Sequence, residues 1–169
     1  PVFFDFDNKN VYAISNLGRN TSAAILMNPQ TGKEIKEIYA NKDYDISSLR
    51  YSKKLKKLTT SAYTDWKTRI HFFNDYYQDI YKTIQSELPE QEIQITSYNK
   101  NEDFFTVYAY SDRNRGKYYT YDAKAKKLNF LIDPTPWLDE KEMASMKPIF
   151  YETRDGLKIQ AYLTIPKGM

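Results

Sequence analysis

The sequence predicts an all-β fold, and three observations carry that prediction. Aromatic residues form 16% of the 169-residue chain, with 16 Tyr and 9 Phe, and such rings favour pleated, half-buried surfaces. Short apolar runs separated by polar turns recur with a period of about 45 residues. The closing stretch holds two alternating runs joined by Asp155-Gly156, a strong hairpin signal.

The bulk composition narrows the function classes. With 28% charged and 41% apolar residues, the chain is neither disordered nor built to cross a membrane as a helix. Its net charge of +3 comes from interleaved bases and acids, a poor footprint for nucleic acid. Cysteine is absent, which excludes disulfides and thiolate metal sites. His71 is the whole imidazole supply, so chemistry needing two histidines is unavailable. The opening Pro1-Val2-Phe3-Phe4-Asp5-Phe6 is no targeting peptide and reads as a strand already under way, as at a cut or processed end.

The repeat places the elements in order. Asn8-Lys9-Asn10 followed by Val11-Tyr12-Ala13-Ile14-Ser15 matches Asn99-Lys100-Asn101 followed by Phe105-Thr106-Val107-Tyr108-Ala109, 91 residues on, or two periods. Each copy continues to an arginine, Arg19 or Arg113. Each then reaches an apolar run closed by a polar turn, Met27-Asn28-Pro29-Gln30-Thr31-Gly32-Lys33 or Tyr121-Asp122-Ala123-Lys124-Ala125-Lys126-Lys127. A degenerate middle copy runs from the Tyr51-to-Leu58 turn through Ser61-Ala62-Tyr63-Thr64-Asp65 and Arg69 to Ile70-His71-Phe72-Phe73. About four short strands per period is the signature of propeller blades, so the chain is read as three four-stranded blades over residues 1–45, 46–96 and 97–136.

The middle copy carries an insertion. Asn74 or Asp75 can cap a helix over residues 75–88, Tyr77, Ile80, Tyr81, Ile84 and Leu88 form its stripe, and Pro89 stops it. The stripe reads as a helix covering a blade edge in preference to a partner-binding surface. Pro134-Thr135-Pro136 ends the third blade, and Trp137-Leu138-Asp139-Glu140-Lys141-Glu142-Met143 suggests a short helix broken by Lys147-Pro148. Residues 137–169 thus form a linker and the final hairpin.

Chemistry-bearing residues are sparse. His71 sits in an apolar run without a suggested nucleophile or orienting carboxylate, and reads as a packed strand histidine. The acid pairs Asp5/Asp7, Asp43/Asp45 and Asp139/Glu140 read as turn acids. Asp5-Phe6-Asp7-Asn8-Lys9-Asn10 fails as a calcium loop, because Lys9 occupies a ligand position and no Gly or distal Glu follows. Lys53-Lys54-Leu55-Lys56-Lys57 falls at a hairpin turn, where lysines protect strand edges. Asn20-Thr21-Ser22 matches a glycosylation acceptor and is assigned no role. No metal and no cofactor is called for.

The segment Tyr151-Glu152-Thr153-Arg154-Asp155-Gly156-Leu157-Lys158-Ile159-Gln160-Ala161-Tyr162-Leu163-Thr164-Ile165-Pro166-Lys167-Gly168 resembles the opening of the α/β-hydrolase domain in prolyl-oligopeptidase-family serine peptidases, which include acylaminoacyl-peptidases and dipeptidyl-peptidases. Ser15-Asn16-Leu17-Gly18-Arg19-Asn20, Tyr51-Ser52-Lys53-Lys54, His71-Phe72-Phe73 and Ser111-Asp112-Arg113 resemble propeller sequence of that family. The resemblance implies the last blades of an N-terminal β-propeller, cut off where the hydrolase domain begins. The family's Gly-x-Ser-x-Gly nucleophile elbow does not occur in the chain, so no catalytic residue carries over.

On this resemblance Arg19, Arg69 and Arg113, placed just after the second strand of each copy, are candidates for holding a peptide carboxylate, since a guanidinium can bind one bidentately. A structural ion pair repeated from blade to blade is the simpler account. The implied function is gating and docking of peptide substrates for a hydrolase domain, without nucleic-acid or membrane partners. An arc of only three blades is also expected to associate with itself. The alternative is a stand-alone propeller-like scaffold that binds proteins.

Overall fold

A computed structural model describes residues 3–168, so Pro1 and Val2 of the expected opening strand, and Met169, lie outside the described residues. The chain is mostly β, with four antiparallel sheets and one α-helix among the described residues. It divides into two compact units, Pro1–Lys82 and Thr83–Met169, and the boundary falls inside the helix.

The first unit holds two sheets. Strands β1 (Phe3–Phe4), β2 (Val11–Ser15), β3 (Ala23–Met27) and β4 (Glu34–Tyr39) lie side by side in chain order. Strands β5 (Ile46–Ser52), β6 (Lys57–Thr64) and β7 (Thr68–Phe72) form the next. Alternation along β2 and β3 sorts the side chains. Ala13 lies across from Ile25 and is buried with it and Ala23 on one face. Ala24, across from Ile14, turns to the other face and packs with Ile46 and Leu49 of β5. Tyr12, Ile14, Ile38, Leu58, Tyr63 and Phe73 surround that cluster, so the first sheet buries its face against the second. Truncating a buried Ile46 or Leu49 to Ala in such a seam costs about 2–5 kcal/mol.

The second unit begins with β8 (Glu92–Tyr98), β9 (Phe104–Ser111), β10 (Asn114–Asp122) and β11 (Lys127–Ile132), again a four-stranded meander. Ile93 opposite Ala109, Ile95 opposite Val107, and Tyr121 opposite Phe105 make its buried face. Next comes a two-stranded hairpin, β12 (Met146–Glu152) and β13 (Lys158–Thr164), paired from Met146–Thr164 to Glu152–Lys158. The turn at 153–157 is closed by the Thr153 amide donating to the Leu157 carbonyl at 2.9 Å, with Gly156 at φ 82°.

The helix α1 (Asp75–Glu87) forms where the sequence places it. The Asn74 side chain accepts from the Tyr77 amide at 3.3 Å, the bond expected of an N-cap. Tyr77, Ile80 and Ile84 are buried and Tyr81 is half-buried, edge-on to Phe72. At the other end the Gln85 side-chain amide donates to the carbonyls of Leu88 (2.8 Å) and Gln91 (3.0 Å), satisfying groups the helix leaves open.

Four expectations change in detail. The middle sheet has three strands, because the chain after Phe73 takes the helical period and the strand beyond the helix pairs with β9. The blade boundary placed at residues 96/97 falls inside β8, which pairs with β9 through Ile93–Ala109 and Ile95–Val107. The short helix expected at 137–143 is a series of turns: Asp139 spends its side chain on the Lys141 amide, and three-residue turn bonds run from Leu138 to Thr135, from Glu142 to Asp139 and from Met143 to Glu140. Pro148, expected as a breaker, lies within β12, which has an open edge where the missing amide hydrogen bond costs nothing.

The repeat distance is also corrected. Asp5 Oδ1 accepts from the Lys9 and Asn10 amides (2.9 and 3.1 Å), and Asn99 Oδ1 accepts from those of Asp103 and Phe104 (3.1 and 3.2 Å). Asn28 and Asp122 likewise cap the turns before β4 and β11. Both turn pairs stand 94 residues apart, the separation of Arg19 and Arg113, where matching Asn8 to Asn99 gave 91. The equivalent positions share an acceptor oxygen and not a residue name, and Asp and Asn serve equally. Asn8, Lys56 and Glu102 occupy the corresponding left-handed position in the first hairpin of each sheet, at φ 54°, 50° and 51°.

Gly116 is the most constrained backbone position. It has φ 95° in a bulge between β9 and β10, the Tyr108 hydroxyl donates to the adjacent Arg115 carbonyl, and a Cβ on Gly116 would overlap the Tyr108 ring. Gly116→Ala is expected to cost about 2–4 kcal/mol through positive φ and overpacking together. Urea denaturation measures this as a lower midpoint at unchanged slope. An unchanged midpoint would mean that the ring moves aside freely.

Candidate functional site

The three arginines singled out by the repeat are each bound to carboxylates of their own unit. Arg19, in the turn between β2 and β3, holds Glu34 with two bonds of 2.7 and 2.5 Å and reaches Glu37 at 3.2 Å. The bond to Glu34 raises the Arg19 pKa and lowers that of Glu34. Arg69 bonds both oxygens of Asp65 through Nε, at 2.8 and 3.0 Å, across the β6–β7 turn. Burial alone would raise the Asp65 pKa, but the Lys67 amide and the Arg69 side chain hold it below the usual value. Arg113 meets Glu90 at 3.0 Å.

Arg19 and Arg113 occupy equivalent turns, whereas Arg69 lies within β7 itself. Each of the three arginines thus already has a side-chain carboxylate within hydrogen-bond reach. The pairs are partly exposed, where solvent screening keeps an ion pair weak.

His71 is packed, as its surroundings in sequence suggest. Its ring stacks on Tyr39 at 4.0 Å between centroids, tilted by 11°, and meets Phe73 edge-on at 4.8 Å. Tyr39 belongs to β4 and His71 to β7, so the imidazole lies in the seam between the first two sheets. Burial lowers its pKa below 6.5.

The acids serve the backbone. Asp5 caps its turn, and those bonds hold its carboxyl below the usual value against the opposing effect of burial. Asp45 accepts from the Ser22 amide at 2.6 Å. The lysines of the 53–57 run are exposed around the β5–β6 turn. Among the described residues no three His, Cys, Asp or Glu side chains gather in a way that could hold a metal, and no helix is long and apolar enough to cross a membrane.

Sequence reasoning missed a second set of polar contacts, between the third sheet and the linker and hairpin that follow it. Lys117 Nζ meets Glu140 at 2.7 Å and Asp133 at 3.8 Å, and the Met146 amide donates to Asp112 at 2.7 Å. These partners lie 16 to 34 residues apart along the chain, beyond any local pattern.

A pH dependence arises from His71. Because its folded pKa is depressed, the unfolded chain binds the extra proton first, so the contribution of this site to stability is complete above about pH 6.5 and is lost as pH falls through the folded value. Denaturant midpoints should drop between pH 7.5 and 5, before the carboxylates titrate, and His71→Gln should flatten that part of the profile. An NMR midpoint for this single histidine at or above 6.5 would contradict the assignment.

Comparison with known proteins gives a fold likeness without sequence kinship. No protein-family model and no curated protein matches the sequence. Among solved structures, the chain is similar to a prolyl endopeptidase described for the role of inter-domain dynamics in catalysis and specificity, with TM-score 0.57, 12% identity and 95% of this chain covered. It is similar to prolyl oligopeptidase B from Galerina marginata in its apo form, with TM-score 0.57, 14% identity and 99% of this chain covered. The same enzyme bound to a 25mer macrocyclization substrate gives TM-score 0.55 at 12% identity over 96% of this chain. The chain spans only 22–24% of the length of these structures, and what it shares with them is the propeller-like fold.

Proposed function

We propose that this chain is the non-catalytic propeller segment of a prolyl-oligopeptidase-family serine peptidase. Residues 1–136 would be its last blades, and residues 137–169 the linker and hairpin that lead into the hydrolase domain. The observation that supports this most directly is the state of the hairpin. Met146, Phe150, Tyr151, Tyr162, Leu163 and Ile165 are all exposed, on both of its faces. An isolated two-stranded hairpin is marginal in water, and one so apolar is suited to being continued and covered by a larger sheet.

In such an enzyme the blades restrict which peptides reach a separate active-site cavity. The gate works by geometry and contributes no nucleophile. Arg19, Arg69 and Arg113 would act there by trading a side-chain carboxylate for that of a peptide.

The chain alone should therefore hydrolyse no aminoacyl or prolyl chromogenic substrate above background. A fluorophosphonate should label none of its serines, and should label one in a longer reading frame that supplies a Gly-x-Ser-x-Gly. Stoichiometric labelling of the chain itself would overturn the reading. A longer frame without that motif would favour a protein-binding scaffold.

The same exposed surface supports self-association of the isolated segment. Phe130, Leu131 and Ile132 of β11 are exposed along with the hairpin, and uncovered apolar patches on this scale usually mark interfaces. Sedimentation equilibrium over a hundredfold concentration range should show mass rising above 20.0 kDa. A monomer at every concentration would exclude it.

A further inference from the structure

We infer that the linker and the start of the final hairpin are held to the third sheet by a two-point polar latch, Lys117 with Glu140 and Asp133 on the linker and Asp112 with the Met146 amide at the first hairpin residue, which releases the hairpin while the sheet stays folded. None of the side chains described in β12 and β13 is fully buried, and the strands pack chiefly on each other. Within the hairpin, Lys158 lies over the Phe150 ring at 4.5 Å and Thr153 closes the turn.

The two points grip the two ends of the linker. Lys117 projects from β10 and is one-third exposed. Asp133 directly follows β11, and Glu140 lies midway along the linker, so one ammonium gathers the strand end and the linker together. Its bond to Glu140 raises the Lys117 pKa, which keeps the cation charged throughout the neutral range. Asp112, in the β9–β10 turn, takes the amide of Met146, the first residue of β12, and so fixes where the hairpin starts.

Electrostatic ties differ from an apolar seam in their response to solution conditions. Partly exposed ion pairs weaken as salt screens them, whereas apolar burial does not. The third sheet keeps its own core of Phe105, Val107, Ala109 and Tyr121, so opening the latch exposes nothing that holds the blade together. Since a lone hairpin is marginal, undocking shows as faster exchange of its strand amides. In a longer enzyme this latch would set the direction in which the chain leaves the blades, but its presence in the chain does not depend on that reading.

The test is hydrogen exchange on the full chain. Lys117→Met keeps the stem of the side chain and removes its charge. It should speed exchange of β12 and β13 amides about five- to tenfold, the effect of losing a charge-assisted bond, while β9 and β10 keep their protection. Lys117→Arg should restore protection. The parent chain in 1 M NaCl should shift toward the Lys117→Met rates, and Lys117→Met should respond little to salt. Unchanged hairpin exchange in Lys117→Met overturns the latch, as does an equal rise in β9 and β10, which would make Lys117 a general support of the sheet.

Discussion

Everything in the first unit depends on one constraint: a sheet with an apolar face must cover it with another sheet. Ala24 makes this possible at the seam. Its single methyl lets β3 approach β5 closely enough for Ile46 and Leu49 to bury nearly completely, while Tyr12, Tyr39, Tyr63 and Phe73 ring the contact. Small residues at the centre and aromatic rings at the margin explain why a chain so rich in tyrosine still has a dense core. The rings fill space around the seam, and their hydroxyls can reach solvent or a partner.

That demand for cover runs through the chain and meets different answers. The face carrying Ala24 is answered by the second sheet. The edge after β7 is succeeded by a helix that buries Tyr77, Ile80 and Ile84 in place of a fourth strand. In the hairpin, none of the described strand side chains is fully buried.

The arginines show how a repeated position need not carry a repeated role. Arg19 and Arg113 occupy the same turn of equivalent sheets, yet one grips two glutamates of β4 and the other a glutamate ahead of β8. The turn fixes where the guanidinium starts. The neighbouring strands decide what it meets, and those differ because Glu34 and Glu37 have no acidic counterparts at Leu128 and Leu131.

The sequence by itself determined the elements whose causes are local. Alternation gave the strands. Asn74, the apolar stripe and Pro89 gave the helix, and Asp155-Gly156 gave the last turn, each through bonds within a few residues. The packed state of His71 was legible because its neighbours Ile70, Phe72 and Phe73 are apolar. What only the tertiary structure decided was pairing across distance: that β8 joins β9, that the first and third copies stand 94 residues apart and not 91, that each arginine is already engaged, and that Lys117 bonds a carboxylate 23 residues away. Periodicity tells a strand which face is apolar. It cannot tell it which partner will present the matching face, because that choice depends on surfaces that exist only once the chain has folded.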